Sequence, residues 1–175
     1  MLSSKVKKNE QLDIIKYPNQ VLREKAKPVE KITHEIFELA EGMIKTMLKN
    51  DGVGLAANQV GALWRLFVVN LKPFEDTPEP AVIINPKILK KEGVIEEEEG
   101  CLSFPGLYLH IPRAKKLLLH YQNLFNERVV MEAEGFLARA IQHESDHLDG
   151  ILFIDYTKEE EQAKVKQYLQ SLSQL

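Results

Sequence analysis

The stretch GFLARAIQHESDHL, residues 135–148, has the residue spacing of an amphipathic α-helix. Apolar residues that recur at intervals of three and four fall on one side of a helix. In this stretch they are Phe136, Leu137, Ala140, Ile141 and Leu148. Gly150 is a typical helix terminator, because glycine readily adopts the left-handed conformation that ends a helix. The sequence therefore predicts a helix from Gly135 to about Leu148 that packs one side against a core.

Two histidines, His143 and His147, lie four positions apart on this predicted helix. Residues at that spacing share one face, so both imidazoles can reach a single metal ion. Glu144 follows the first histidine directly, which places a carboxylate where a general base for a bound water belongs. The alternative is a chance pair of surface histidines beside an ordinary glutamate.

A catalytic metal needs a third protein ligand and an open coordination position. Phe153 occupies the position six residues after His147 where metzincin proteases have a third histidine, so that class is excluded. The glutamates at 159–161 are available, although they also suit the solvated first turn of a helix. Cys101 is the better candidate, since a thiolate with two imidazoles suits zinc or ferrous iron. In isolation a lone cysteine is more often a small buried apolar residue.

A third element is the glycine- and alanine-rich stretch GVGLAANQ, residues 52–59. Its small residues let a backbone approach another group closely, and Gln59 offers an amide that can hydrogen-bond an oxygen. The alternative is a flexible turn followed by tight packing. A phosphate-binding loop is excluded because no Gly-Lys-Ser/Thr sequence follows.

The rest of the chain predicts segregated helices and strands rather than regular βαβ units. Helices are expected from Thr33 to about Lys49 and from Glu159 to Leu172. Strands are expected at 66–69, 82–84, 88–89, 93–98, 117–121 and 128–132, with the second and third separated by Asn85-Pro86. This order indicates an α+β fold, with antiparallel sheets around the helix that carries the His-Glu-x-x-His sequence, an N-terminal helix and a C-terminal helix.

Length and composition indicate one globular domain covering residues 1–175. The net charge of −3 with interspersed signs gives no surface for nucleic acid. No apolar run approaches the roughly 18 residues that a membrane helix needs. Residues 1–11 are polar and lack the core of a secretory signal, so we expect a short, loosely ordered extension. One cysteine fits a reducing compartment, so we expect a cytoplasmic protein.

Three motifs together resemble the peptide deformylase family. They are Gly-x-Gly-Leu-Ala-Ala-x-Gln at 52–59, Glu-Gly-Cys-Leu-Ser at 99–103 and Gln-His-Glu-x-Asp-His-Leu-x-Gly at 142–150. The resemblance extends from about Leu12 to Tyr156. It implies hydrolysis of the N-formyl group from the formyl-methionine of nascent polypeptides, with release of formate, in the bacterial cytoplasm.

The resemblance also implies a metal site made by Cys101, His143 and His147. The family typically uses Fe²⁺ in the cell, and Zn²⁺ or Ni²⁺ can occupy the site. Gln142 and Asp146 are candidate partners for the remaining imidazole N–H groups, since ligating histidines usually donate to a second group. Asp146 equally fits a solvated helix position.

The implied catalytic groups are Glu144, Gln59 and Leu102. Glu144 would take a proton from the attacking water and pass it to the leaving amine. The Gln59 side chain and the Leu102 backbone N–H would stabilise the oxyanion, as such donors do in acyl transfer.

The implied substrate-binding residues are Gly54, Val53, Phe136 and Ala140. The Gly54 backbone would pair with the extended peptide, and the other three would line an apolar pocket for the methionine side chain. The alternative for these three is ordinary core packing.

Two other functions fit parts of the pattern. A zinc endopeptidase would use a third ligand downstream of His147 and would not need Cys101. A non-catalytic, metal-stabilised module that binds the ribosome would need a closed site, usually with four protein ligands. The amphipathic C-terminal helix fits packing on the core, pairing with a subunit or a transient ribosome contact.

Overall fold

The computed structural model describes residues 11–71 and 79–172. The extension predicted at 1–11 therefore lies, apart from Gln11, outside the described residues. Three α-helices are present: α1 (His34–Lys49), α2 (Gly135–Leu148) and α3 (Glu159–Leu172). Short 3₁₀ helices cover Gln20–Arg23, Ala57–Val60 and Phe153–Tyr156. The three predicted helices are confirmed, and no helix in the described ranges is long and apolar enough to cross a membrane.

In the described ranges seven strands form two antiparallel sheets, which confirms the α+β prediction. The strands are β1 (Gly54–Ala56), β2 (Leu66–Val69), β3 (Ala81–Glu92), β4 (Ile95–Cys101), β5 (Phe104–Arg113), β6 (Lys116–Gln122) and β7 (Arg128–Glu134). One sheet has five strands in the order β1-β2-β3-β6-β7, and the other pairs β4 with β5.

The five-stranded sheet lies between α1 and α2. Alternate residues of a strand point to opposite faces, and in β2 Phe67 and Val69 pack with α2 while Leu66 and Val68 pack with α1. This explains why β2 is apolar at every position, since both of its faces are covered. A third apolar cluster joins the inner face of β5 to the segment around Phe153.

Two strand predictions were wrong. Asn85-Pro86 does not separate two strands, because β3 runs through it with a shift of register between Ile84 and Lys87. Asn85 adopts φ 49°, and its side chain bonds both backbone groups of Val29 at 2.8 and 2.9 Å. Such an irregularity lets a strand accommodate proline, which lacks the N–H for the ladder. Strand β5 was not predicted at all.

Candidate active site

Side chains from two elements meet in one cluster of metal-binding type. Cys101 ends β4, and His143 and His147 lie one turn apart on α2. Nε2 of His147 lies 3.4 Å from the Cys101 Sγ and 3.2 Å from the His143 Nε2. The three donor atoms all lie within 4.8 Å of one another, and the described residues contain no second group of this kind.

The geometry of this cluster fits a tetrahedral divalent metal ion. Metal–nitrogen bonds of about 2.0–2.1 Å and a metal–sulfur bond of about 2.3 Å would separate two nitrogens by about 3.3 Å and a nitrogen from the sulfur by about 3.6 Å. The observed separations from the His147 Nε2 are close to both values. The cluster supplies three ligands from the described chain, which is the number typical of a catalytic site.

Of the downstream glutamates, Glu161 contacts His110 and not the metal-binding cluster. Both Glu161 oxygens face His110, with Oε2 accepting from its backbone N–H at 2.8 Å. Among the described residues the metal-binding cluster contains only Cys101, His143 and His147. The structure therefore does not support the endopeptidase alternative, which needs a downstream ligand.

The second nitrogen of His143 is held by Glu99. Its Nδ1 lies 2.5 Å from the Glu99 Oε1, and Glu99 is buried with two arginines around it. Arg113 donates to both carboxylate oxygens, at 2.7 and 3.1 Å, and Arg139 donates to Oε2 at 3.0 Å. Such a partner orients a ligating imidazole. Burial raises the pKa of Glu99, but His143 and Arg113 outweigh it and leave this pKa far below its usual value.

The partners predicted for the histidines were therefore wrong. Gln142 bonds the backbone of Ala114 and of Ala138, and Asp146 forms an ion pair with Arg113 at 2.5 Å. Neither side chain bonds an imidazole in the described structure. The sequence signal that pointed to Glu99 was its place in the motif at 99–103.

The two histidines differ in protonation preference. Burial lowers the pKa of His147 well below its usual value, and the charges of His143 and Arg113 act in the same direction. Burial also opposes the charged form of His143, but its contacts with Cys101 and Glu99 outweigh burial and raise its pKa.

The Glu144 carboxyl group is buried against β1. A Cβ atom at Gly54 would lie 2.5 Å from the Glu144 Oε1, so only glycine leaves room for this carboxylate. The Oε2 atom has no hydrogen-bond partner in the described part of the chain. Burial raises the pKa of Glu144 to about 7 and the Glu99 charge adds to this, while the charge of His143 opposes it. The group can therefore exchange a proton near neutral pH.

Gln59 is fixed at both ends of its amide. Its Oε1 accepts from the Ala56 N–H at 2.8 Å, and its Nε2 donates to the Ser103 Oγ at 3.2 Å and lies 3.5 Å from the Cys101 Sγ. The amide N–H group is thus presented beside the metal-binding cluster. Leu102 follows Cys101 directly, and its carbonyl accepts from the Lys16 ammonium at 2.5 Å.

These residues open into one cleft of about 650 Å³. Nine of the ten predicted site residues line it: Val53, Gly54, Gln59, Cys101, Leu102, Phe136, Ala140, His143 and Glu144. The tenth, His147, is buried behind the cleft wall. Phe136 is 49% exposed, so it is not a core residue. Lys16, Tyr108 and Arg139 also line the cleft, and no sequence pattern predicted a site role for them.

Comparisons with known proteins agree on one family. The family model for polypeptide deformylase matches residues 11–163. Peptide deformylase of Thermodesulfovibrio yellowstonii is 46% identical over 144 residues, which cover 82% of this chain and 87% of that protein. Peptide deformylase 1 of Clostridium perfringens is 49% identical over 138 residues, covering 79% of this chain and 92% of that protein.

Solved structures give the same result. A peptide deformylase from Legionella pneumophila superposes with a TM-score of 0.86 at 36% identity, covering 94% of this chain and 96% of that one. One from Synechococcus elongatus, in complex with actinonin, gives 0.86 at 37% identity and covers 93% and 88%. This chain belongs to the peptide deformylase family, whose members are metal-dependent hydrolases that remove the N-formyl group from nascent polypeptides.

Proposed function

We propose that this chain performs the family's deformylation in the cleft beside Cys101, His143 and His147, which together hold one divalent metal ion. The observation that carries the proposal is the convergence of a sulfur and two imidazole nitrogens within 4.8 Å, next to a buried carboxyl oxygen of Glu144 without a partner among the described residues. Three ligands with an adjacent base are the composition of a hydrolytic metal site.

The chemistry divides between the ion and the side chains around it. When bound, the divalent ion polarises the formyl carbonyl and makes water acidic enough to react at neutral pH. Glu144 accepts the proton of the attacking water at its free Oε2 and donates it to the departing amine nitrogen. Its pKa of about 7 without a metal suits both halves of that transfer. Formate and a free methionine amine are the products.

The oxyanion is stabilised by the Gln59 amide and by the Leu102 backbone N–H. Gln59 is preorganised, because its Oε1 is tied to the Ala56 N–H and cannot rotate away. Donors that are fixed before the reaction stabilise developing charge without reorganisation.

The substrate peptide binds along β1, which is an edge strand of the five-stranded sheet. Gly54 offers backbone groups at that edge, and an extended peptide can add to such an edge as a further strand. Val53, Phe136 and Ala140 form the apolar pocket for the methionine side chain. The cleft position and the 49% exposure of Phe136 support a binding role for it.

The identity of the metal ion, the cellular location and the partners are proposed from the family. Fe²⁺ is the ion in the cell, and Zn²⁺ or Ni²⁺ can replace it, since thiolate and imidazole ligands suit each of them. The whole chain, residues 1–175, acts as one catalytic domain in the bacterial cytoplasm. Its partners are nascent formylated peptides, with α3 available for a transient ribosome contact.

The test is formate release from formyl-Met-Ala-Ser under anaerobic conditions with Fe²⁺. Wild type, Glu144→Ala and Cys101→Ala are compared, each with its metal content measured. We expect formate from the wild type. Glu144→Ala should keep its metal and lose about 10²–10⁴-fold in kcat. Cys101→Ala should bind metal poorly.

Two outcomes would contradict these assignments. A metal-loaded wild type that releases no formate would show that this chain is inactive on the family substrate. A Cys101→Ala variant with unchanged metal content and activity would remove Cys101 from the ligand set.

A further inference from the structure

We propose that Arg139 is a positioning residue for the metal site, because it ties the helix that bears both histidines to the sheet that bears the cysteine. The inference rests on the proposed function of Cys101, His143 and His147 as ligands. Arg139 touches none of the reacting groups in this role and acts through Glu99 and through the backbone.

Arg139 is among the largest fully buried side chains of the described structure, at 2% exposure. Its Nη1 donates to the Ile111 carbonyl of β5 at 2.9 Å and its Nη2 donates to the Ile95 carbonyl of β4 at 3.2 Å. A longer contact of 3.4 Å reaches the Glu97 carbonyl. One side chain of α2 thus holds the backbone of both strands of the two-stranded sheet.

The same guanidinium contacts the carboxylate that orients a ligand. Arg139 lies one helical turn before His143, on the same face of α2. Its Nη1 donates to the Glu99 Oε2 at 3.0 Å, while the other Glu99 oxygen lies 2.5 Å from the His143 Nδ1. A shift of Arg139 would therefore move the Glu99 carboxylate, and with it the imidazole ring.

Apolar packing alone does not fix this relation between helix and strand. The apolar side of α2 packs mainly on strands of the five-stranded sheet. Cys101, however, belongs to the two-stranded sheet, whose polar links to α2 include Arg139–Glu99, Arg113–Asp146 and the His143–Glu99 contact that depends on the same carboxylate. Because the Cys101 Sγ must lie within a few ångströms of both imidazoles, a loose link would separate the ligands.

Arginine suits this role better than lysine does. A planar guanidinium presents five donors in a rigid arrangement, so one side chain can bond a carboxylate and several carbonyls at once. A lysine can keep the positive charge beside Glu99, but its single ammonium cannot reach both strands in the same way. The third nitrogen, Nε, lies 3.6 Å from the Glu97 Oε2 of β4, so all three nitrogens of the side chain face the two-stranded sheet.

The experiment uses Co²⁺ as the probe, added to metal-free full-length protein. Its visible absorption reports coordination geometry, and a thiolate-to-cobalt band reports the Cys101 bond. Wild type, Arg139→Met, Arg139→Lys and Met43→Ala are compared for the Co²⁺ dissociation constant and spectrum. Met43 is fully buried on α1, which packs on the face of the five-stranded sheet opposite to α2, so Met43→Ala controls for lost stability.

We expect Arg139→Met to raise the dissociation constant about 10–100-fold, as loss of a group that orients a ligand typically does. The thiolate-to-cobalt band of Arg139→Met should weaken. The dissociation constant and band intensity of Arg139→Lys should lie between those of Arg139→Met and wild type. Met43→Ala should match wild type in both. Unchanged affinity and spectrum in Arg139→Met would overturn the inference. If Arg139→Met does not fold, an unchanged Co²⁺ affinity and spectrum in Arg139→Lys would overturn the inference. A wild type without a thiolate band would instead refute the ligand set, and the inference with it.

Discussion

At the scale of single residues, Gly54 and Glu144 form a matched pair. A Cβ atom at position 54 would lie 2.5 Å from Oε1 and 2.8 Å from Cδ of Glu144. The Glu144 side chain is buried, so it can escape that contact only by moving its carboxylate. The glycine is therefore needed for the position of the base, in addition to any pairing with substrate.

Gly54→Ala should lower kcat about 100-fold, because a displacement of about 1 Å at a reacting group costs that much. Metal content should stay unchanged, since the three atoms nearest to a Cβ at Gly54 all belong to Glu144 and not to a proposed ligand. The decisive measurement is a double-mutant cycle with Glu144→Ala. If Gly54 acts through Glu144, the double variant is no slower than Glu144→Ala alone. Independent, multiplying losses would show that Gly54 acts on the substrate instead.

The Gln59→Glu variant distinguishes the role of the Gln59 amide oxygen from the role of its N–H group. The new carboxylate can still accept from the Ala56 N–H, which is now 2.8 Å from the Gln59 Oε1. It cannot donate toward the metal-binding cluster. We expect kcat to fall about 10²–10³-fold, the usual cost of one lost oxyanion donor, with KM little changed. A rise in KM with kcat unchanged would argue instead that Gln59 binds the ground state.

The sequence spacing predicted the two histidines of the metal-binding cluster but not the residues that orient them. His143 and His147 were predictable because a helix fixes what positions four apart can share. Arg139 lies one turn before His143, yet a helical arginine is ordinarily expected in solvent. It is buried because the two-stranded sheet folds over this side of α2. Such a long-range contact leaves no periodic signal in the sequence.

At the scale of elements, the helices were predictable and β5 was not. Helix periodicity is local, and α2 and α3 have the predicted bounds. In β5 the buried residues do alternate, as Leu107, Leu109 and Ile111. Pro105, Gly106 and Pro112 interrupt that pattern, however, and such residues predict loops. The strand exists because β4 pairs with it along its length.

The end of α2 depends on a glycine in tight contact with the chain near the N-terminus. Gly150 has φ 71°, and a Cβ atom there would lie 2.3 Å from the Arg23 carbonyl oxygen. Gly135 has a similar φ of 61° but nothing within 4 Å of its Cβ position. The two glycines therefore separate the cost of backbone strain from the cost of a steric clash.

Gly135→Ala should lower the free energy of unfolding by about 1–2 kcal/mol, the cost of the left-handed conformation. Gly150→Ala should cost about 1–3 kcal/mol more, since the Arg23 backbone must also move. Urea denaturation of the two metal-free variants and the wild type measures both values. Equal losses of unfolding free energy in the two variants would mean that the Arg23 backbone moves at no cost and does not stabilise the end of α2.

At the scale of the whole molecule, we expect the fold not to depend on the metal. Three apolar clusters cover both faces of the five-stranded sheet and the inner side of β5. A bound metal would connect α2 to Cys101 through His143 and His147, whereas Glu99, Arg113 and Arg139 connect the same elements without it. A chain of this length can bury a sufficient core by itself.

Removal of the metal should therefore leave a folded protein with a lower melting temperature. A metal present at about 100 times its dissociation constant stabilises by about 2.7 kcal/mol, which corresponds to roughly 5–10 °C for a domain of this size. Calorimetry of wild type with and without a chelator measures the shift. Glu144→Ala should keep this shift in melting temperature, because its three proposed ligands are intact. Cys101→Ala should lose most of the shift. A chelated wild type that is unfolded would mean that the metal is structural, since structural zinc sites supply folding energy outright.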